Sequence, residues 1–176
     1  MAIQSERLVF RPYTDKDFNF LVTLLSDPEM MRFIGNGSTR DDQGSKEFLA
    51  WIYRTYEAGE NLGLQILLRK EDGLPIGHAG LVPQKIEGVN ELEIGYWIAR
   101  KYWGNGYATE AAAALLEHGR STLGIQRFIS LIQPGNTTSA QVAQKIGMLV
   151  EKEIVLGGKD VNVFSTISNR KAANHT

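Results

Sequence analysis

A pair of glycines between a strand pattern and an alanine-rich segment constrains the fold of this chain most strongly. The strand-like run Leu92–Ile98 leads to Gly104-Asn105-Gly106, and an alanine-rich helix pattern follows from about Gly106 to Gly119. A helix start of this kind offers unpaired backbone N–H groups, and glycines let a phosphate approach them closely. The third glycine of a dinucleotide-binding loop and the Gly-Lys-Ser/Thr of a Walker A loop are missing. The turn is therefore either a short phosphate site or a plain strand-to-helix connection.

The hydrophobic pattern along the rest of the chain predicts one α/β domain. Its length of 176 residues suits a single domain. An opening strand is followed by two helices, a three-stranded meander, and then the order α-β-α-β-β, which predicts a mixed α/β or α+β sandwich around one sheet. The domain is expected to span residues 1–168, with 169–176 as a frayed tail. The remaining predicted strands are Arg7–Tyr13, Leu62–Leu68, Pro75–Val82, Phe128–Ile132, Leu149–Leu156 and Val161–Ile167, and the remaining helices contain Phe18–Leu25, Asp41–Ala58 and Thr138–Ile146.

Composition excludes several classes of function. With 19 basic and 20 acidic residues, the net charge of −1 gives no electrostatic reason to expect a nucleic-acid partner. The absence of cysteine excludes disulfides and a thiol nucleophile, and three scattered histidines argue against a zinc site, so we expect no metal. No secretory signal pattern is present, and no apolar run approaches the ~20 residues that span a bilayer. The expected compartment is the cytoplasm, without a membrane partner.

Two spaced motifs resemble a known family. Lys101–Gly106 is similar to a phosphate loop of the form Gln/Arg-x-x-Gly-x-Gly/Ala, with lysine in the first place. Gly95–Trp97, Tyr102–Ala111 and the later Asn136–Ser139 with Gln144–Met148 also match. The chain resembles the GNAT superfamily of N-acetyltransferases, in its RimJ/RimL-type branch, over residues ~5 to 168. The resemblance implies a mostly antiparallel sheet of six to seven strands, splayed at its middle strands and flanked by about four helices.

The resemblance also implies acetyl-CoA as a co-substrate, held where two strands splay apart. Pantetheine would pair with the exposed backbone of Trp97 and Ile98, and the pyrophosphate would lie on the N–H groups of the glycine turn. Asn136 would hydrogen-bond the pantetheine arm, and Ser139 would lie near the sulfur. The expected cofactor-binding residues are Tyr96, Trp97, Ile98, Lys101, Gly104, Asn105, Gly106, Tyr107, Ala108, Thr109, Asn136 and Ser139.

Transfer to an amine needs a base, because the attacking nitrogen must be neutral. Glu93 is the candidate catalytic base and Glu91 its rival, since both lie on one face of the same predicted strand. Many GNAT enzymes place a tyrosine acid seven residues after the asparagine, but Ala143 stands there. Ser139 is then the best-placed catalytic hydroxyl for the departing thiolate, unless the thiolate leaves unprotonated.

Simpler structural roles are open for each of these residues. Glu93 could be a solvent-facing carboxylate, Ser139 a helix cap, Asn136 a turn residue and His78 a buried structural histidine. The main functional hypothesis is an N-acetyltransferase acting on a primary amine, either a peptide N-terminus or a small molecule, by direct attack in a ternary complex. The alternative is a coenzyme A-binding regulatory module without turnover, and a third hypothesis is an unrelated nucleotide-binding domain. Both a monomer and a homodimer fit the sequence.

Overall fold

A computed structural model describes residues 1–167 of the chain. The predicted tail, 169–176, lies outside the described residues. In chain order, the elements are β1 (Leu8–Pro12), α1 (Phe18–Leu25), α2 (Pro28–Met31), α3 (Asp42–Thr55), β2 (Gly63–Arg69), β3 (Pro75–Ile86), β4 (Val89–Ile98), α4 (Tyr107–Ser121), β5 (Ile129–Ile132), α5 (Thr137–Lys145), β6 (Leu149–Leu156) and β7 (Lys159–Ser165).

Within residues 1–167, seven strands form one sheet in the order β1-β2-β3-β4-β5-β7-β6. Every neighbouring pair is antiparallel except β4 and β5, which run parallel at the middle of the sheet. The predicted mostly antiparallel α/β architecture is therefore confirmed. The four predicted helices are present as α1, α3, α4 and α5.

The short helix α2 was not predicted, because Ser26-Asp27-Pro28 reads as the end of α1. In the structure, Pro28 occupies the first helical position, where its missing N–H costs nothing. The Asp27 carboxylate caps the new helix by accepting a hydrogen bond from the Glu29 N–H at 3.0 Å. The same residues that close α1 therefore also begin α2.

Helices cover both faces of the sheet. On one face, α3 buries Phe48, Leu49 and Ile52 in a cluster that also contains residues of α1 and β2. On the other face, α4 buries Ala111, Ala112, Leu115 and Leu116 in the larger core cluster, together with buried residues of β1 to β5 and of α5. The small residues of α4 allow a close approach: a Cβ on Gly119 would lie 2.3 Å from Cζ of Phe128.

The β3–β4 hairpin is longer than the sequence predicts. A two-residue turn at Glu87 and Gly88, both with positive φ, joins strands that extend to Ile86 and Val89. The segment from Gln84 to Glu91 has only Ile86 and Val89 as apolar residues and lacks the regular alternation of a half-buried strand, which is why the prediction stopped early. Near the tip, Ile86 is buried in a cluster with residues of β5, β6 and β7, and the Lys152 ammonium of β6 lies 2.9 Å from Oε1 of Glu87.

None of the helices in residues 1–167 combines the length and apolar character that crossing a bilayer requires.

Candidate active site

Strands β4 and β5 separate directly after one paired position, Glu93 with Ile129. In a continued parallel ladder, the Leu131 N–H would donate to the Ile94 carbonyl. Here the Leu131 N–H donates to Oε2 of Glu93 at 3.3 Å, and the Ser130 hydroxyl donates to the Ile94 carbonyl at 2.8 Å. These two side chains satisfy the backbone groups at which pairing ends, so a V-shaped cleft opens between the strands beyond this apex.

The edge of β4 offers backbone groups to this cleft. Because the Ile94 carbonyl faces β5, strand alternation turns the N–H and C=O of Tyr96 and the N–H of Ile98 to the same side. The Ile98 carbonyl accepts a hydrogen bond from the Trp103 indole at 2.6 Å, which ties the following turn to the end of β4. An extended molecule in the cleft could pair with Tyr96 and Ile98 as an added strand would.

The same alternation changes the role expected for the backbone of Trp97. Trp97 lies opposite His78 of β3, and two residues further on the Ala99 N–H donates to the Ile76 carbonyl at 2.8 Å. The backbone of Trp97 therefore belongs to the ladder with β3 and is turned away from the cleft. Its side chain packs on the α3 side, with ring centroids 4.5 Å from His78 and 5.6 Å from Phe48.

The turn after β4 presents a row of free amides. Gly104 (φ +78°) and Gly106 (φ +79°) adopt left-handed conformations, and Gly106 is the N-cap of the 15-residue helix α4. The backbone N–H groups of residues 104–109 donate to no acceptor within residues 1–167. A Cβ on Gly104 would meet nothing within 4 Å, so the space beside these amides is open. The arrangement combines aligned N–H donors with the positive end of a helix dipole, as an anion site requires.

The other predicted loop residues lie beside this row of amides. The Asn105 side chain donates to the carbonyls of Tyr102 and Trp103 at 3.0 and 3.1 Å, and so braces the turn. Lys101 is exposed at its entrance, Tyr107 is buried beneath it, and Ala108 and Thr109 are half-buried. The structure thus brings the predicted phosphate-loop residues together at one end of the cleft.

Helix α5 forms the wall of the cleft opposite β4. Oδ1 of Asn136 accepts a hydrogen bond from the Ser139 N–H at 3.3 Å, so this asparagine does cap α5. The Nδ2 group of Asn136 donates to no acceptor in the described part of the chain and can serve a ligand. Ser139 is half-buried one turn into the helix, and Ala143 is fully buried behind it. The Tyr96 hydroxyl donates to the Ser139 carbonyl at 2.9 Å and links the two walls, whereas the sequence named Tyr96 only as a cofactor-binding residue.

The two candidate bases differ in their surroundings. Glu93 accepts hydrogen bonds from neutral donors, Nε2 of Gln84 at 3.1 Å and the Leu131 N–H at 3.3 Å. Burial raises the pKa of Glu93, and these two hydrogen bonds only partly oppose the increase. Glu91 is instead ion-paired with Arg127, at 2.9 Å from Oε1 to Nη2. Glu93 is therefore the carboxylate without a neighbouring cation and the one at the apex of the cleft.

His78 has a structural environment. It is fully buried, its ring stacks on Phe48, and Nδ1 is 2.7 Å from the Tyr13 hydroxyl. Burial lowers the pKa of His78 to about 3, so it is neutral at physiological pH. Among residues 1–167, no group of three or more histidine, aspartate or glutamate side chains has the arrangement needed to hold a metal ion.

Comparison with known proteins agrees with this geometry. The acetyltransferase (GNAT) domain matches residues 7–149 of the chain. YkkB of Bacillus subtilis strain 168 is 38% identical over 161 residues, covering 91% of this chain and 92% of that protein. YnaD of the same organism, described as an uncharacterized N-acetyltransferase, is 35% identical over 149 residues, covering 84% of this chain and 82% of YnaD.

Solved structures share the fold. A GNAT-family acetyltransferase from Bacillus anthracis superposes with a TM-score of 0.76 at 27% identity, over 94% of this chain and 97% of that one. RimL, a ribosomal L7/L12 α-N-protein acetyltransferase in complex with coenzyme A, superposes with a TM-score of 0.77 at 18% identity, over 96% and 99% of the two chains.

The fold and the cleft together define an acetyltransferase. The chain belongs to the GNAT acetyltransferase family. Enzymes of this fold use acetyl-CoA, and the free amides of residues 104–109 with the open space beside Gly104 fit its diphosphate.

Proposed function

We propose that this protein is an acetyl-CoA-dependent N-acetyltransferase that transfers the acetyl group to a primary amine by direct attack in a ternary complex. The observation that carries the proposal is the row of six unengaged amides at the start of α4, placed at one end of a cleft that has a carboxylate at its apex.

Acetyl-CoA would extend from this row of amides toward the apex. Its diphosphate accepts hydrogen bonds from the backbone N–H groups of residues 104–109, with Lys101 at the entrance. The pantetheine arm pairs with the cleft-facing backbone of Tyr96 and Ile98, and Nδ2 of Asn136 donates to it from the opposite wall. The thioester then lies near the divergence of β4 and β5, within reach of Glu93.

The chemistry needs one base and one acid. Glu93 accepts a proton from the ammonium group of the acceptor, and the neutral nitrogen attacks the thioester carbonyl. The new C–N bond forms as the C–S bond breaks. The nitrogen passes its second proton to Ser139 while the Ser139 hydroxyl donates its own proton to the sulfur, so coenzyme A leaves as a thiol and the serine is regenerated. Glu93 then releases its proton to solvent. A carboxylate whose pKa is raised by burial suits this role, because a stronger base takes the amine proton more readily.

Before it binds, the acceptor is a protonated primary amine, since a buried carboxylate attracts such a cation and then removes its proton. The structural neighbour named for acetylating ribosomal L7/L12 favours a protein N-terminus over a small polyamine. A ribosomal acceptor would place the enzyme in the cytoplasm.

The phosphate site is tested by calorimetry with acetyl-CoA on two matched glycine variants. Gly104→Ala and Gly88→Ala suffer the same backbone strain, because φ is +78° and +79° and both Cβ positions are open. Only the Gly104 methyl enters the phosphate cradle, so we expect its Kd to rise about tenfold or more, as when one or two charge-assisted hydrogen bonds are lost. Gly88→Ala should bind like the wild type. Equal Kd values for the two variants would remove the diphosphate from this turn.

The base is tested by Glu93→Gln in a turnover assay with N-terminal peptides, amino acids, polyamines and aminoglycosides. We expect kcat to fall about 10²- to 10⁴-fold, as for loss of a general base, with an unchanged Kd for acetyl-CoA. The acid limb of the wild-type profile should lie above the ordinary glutamate pKa and vanish in the variant. A parallel loss of binding and rate would move the base elsewhere, and saturable binding without turnover on any acceptor would favour the regulatory module.

A further inference from the structure

We infer that Arg7 and Glu110 form a brace that holds the phosphate loop in its binding conformation, so that Arg7 is a positioning residue for acetyl-CoA. The inference rests on the proposed function. It concerns how the Arg7 side chain, on the segment before β1, fixes the orientation of backbone N–H groups in the phosphate loop, almost a hundred residues later in the sequence.

One end of the brace is Glu110 in the first turn of α4. Its Oε2 atom accepts a hydrogen bond from Nε of Arg7 at 2.7 Å, and its Oε1 atom accepts from the Arg7 N–H and the Ser5 hydroxyl, each at 2.7 Å. Burial opposes the ionisation of Glu110, but these hydrogen bonds outweigh it and lower its pKa. The carboxylate is therefore charged, and it fixes the guanidinium in position.

The other end of the brace is the loop itself. Nη2 of Arg7 donates to the Asn105 carbonyl at 3.0 Å, and the guanidinium carbon lies 4.3 Å from the centroid of the Tyr107 ring. The same nitrogen is 3.6 Å from the position that a Cβ on Gly106 would occupy. Within residues 1–167, this is the one hydrogen bond from a side chain outside the loop to the backbone of residues 103–106. The brace therefore restrains the backbone of the turn near Gly106, beyond the point where the Trp103 indole ties the turn to β4.

Peptide geometry explains why this restraint matters for binding. In a trans peptide the C=O and the N–H point in opposite directions. With the Asn105 carbonyl held by Arg7, the Gly106 N–H must point away from Arg7, toward the open side of the loop. Without the brace, the peptide between these residues can flip, because Gly106 adopts either sign of φ without steric cost. A flipped peptide would present a carbonyl oxygen to the diphosphate in place of a donor.

The test compares two ligands on Arg7→Ala and on a matched control, Arg11→Ala. Arg11 lies on β1, close to Arg7 in the chain. It is 38% exposed against 42% for Arg7, and it is ion-paired with Asp17 at 2.9 Å as Arg7 is with Glu110 at 2.7 Å. Arg7→Ala should raise the Kd for acetyl-CoA about tenfold or more, the size expected for losing an oriented amide donor to a phosphate. It should leave the Kd for S-acetylpantetheine, which has no diphosphate, unchanged. Arg11→Ala should change neither.

The outcomes separate this inference from the proposed function. If the wild type does not bind acetyl-CoA, the proposed function fails. If the wild type binds and Arg7→Ala binds equally well, only the brace is refuted. A similar loss for both ligands would show a general effect on the fold and would also overturn the positioning role.

Two further variants distinguish geometry from charge. Arg7→Lys retains the charge but lacks the rigid fork in which Nε donates to Glu110 while Nη2 donates to the Asn105 carbonyl, so it should recover only a minor part of the lost affinity. Full recovery would assign the effect to charge alone. In a double-mutant cycle with Glu110→Ala, the double variant should bind acetyl-CoA about as weakly as Arg7→Ala does, because both residues act as one unit. Additive losses would contradict the brace.

Discussion

Removal of the Arg127 guanidinium should destabilise the protein strongly. Arg127 lies between Glu91 and Glu151, with a contact of 2.9 Å to each carboxylate, and it also donates to the Ile167 carbonyl. The carboxylate side chains are 8% and 10% exposed, and that of Arg127 is 18% exposed. Arg127→Met keeps much of the apolar stem but leaves two buried like charges without a cation.

The magnitude follows from the burial of these groups. Breaking a buried ion pair by removing one partner costs about 3–5 kcal/mol, and the partial exposure of Arg127 favours the lower end. In a domain of this size each kcal/mol lowers the melting temperature by about 2–4 °C, so we expect a decrease of about 6–12 °C at pH 8. The cost comes from two like charges left without a cation, so it should be greatest at pH 8 and shrink as acid neutralises that charge.

Urea denaturation at pH 8 and pH 5 measures this cost directly. A control that combines Arg127→Met with Glu91→Gln and Glu151→Gln removes the uncompensated charges and should recover most of the stability. A cost below about 1 kcal/mol at pH 8, as for an exposed ion pair, would refute the reasoning. A cost that does not change with pH would also refute it, because the loss would then come from packing alone.

Three other perturbations test the electrostatics and packing of the core. Glu93→Gln should raise the free energy of unfolding at pH 8. Because the pKa of Glu93 is raised in the folded state, the wild type loses stability as the pH rises through that pKa. Urea melts at pH 4 and pH 8 should therefore show a gain in the variant only at pH 8. His78 has a pKa lowered to about 3, so wild-type stability should fall as the pH drops from about 6.5, by up to about 1.4 kcal/mol per unit, and His78→Leu should flatten this dependence. Gly119→Ala should cost about 1–3 kcal/mol by overpacking against Phe128, and thermal melts should show Phe128→Leu recovering part of it. An unchanged melting temperature in Gly119→Ala would contradict the contact.

The sequence predicted most elements because each depends on local patterns. Hydrophobic periodicity located α3 and α4, and the glycine turn between Ile98 and Tyr107 indicated an anion site before any contact was known. The long β3–β4 hairpin was underestimated, because Ile86 near its tip is buried in a cluster with Ile154 of β6 and Val161 of β7. Contacts between residues so far apart in the chain leave no local signal.

The candidate site likewise depends on contacts between residues that are distant in the chain. Alternation along β4 predicted that Glu91 and Glu93 share a face, but Arg127 distinguishes between them from 36 residues away in the chain. Side-chain alternation also cannot say which neighbour a backbone group faces, so the sequence assigned the cleft-facing backbone to Trp97, whereas in the structure the Trp97 backbone faces β3 and that of Tyr96 faces the cleft. Both facts depend on the order of strands in the sheet, which the local pattern does not contain.

The single paired position between β4 and β5 has a mechanical consequence. It divides the sheet into two plates, β1 to β4 and β5 to β7, which share only a short seam at Glu93 and Ile129. The core around α4 and α5 includes residues from both plates and acts as a common backing, and the Tyr96 hydroxyl ties β4 to α5 on that side. The plates are joined a second time where Nε2 of Gln133, directly after β5, donates to the Gly35 carbonyl in the loop between α2 and α3 at 2.7 Å. The width of the gap therefore depends on these side-chain contacts as well as on the short backbone seam.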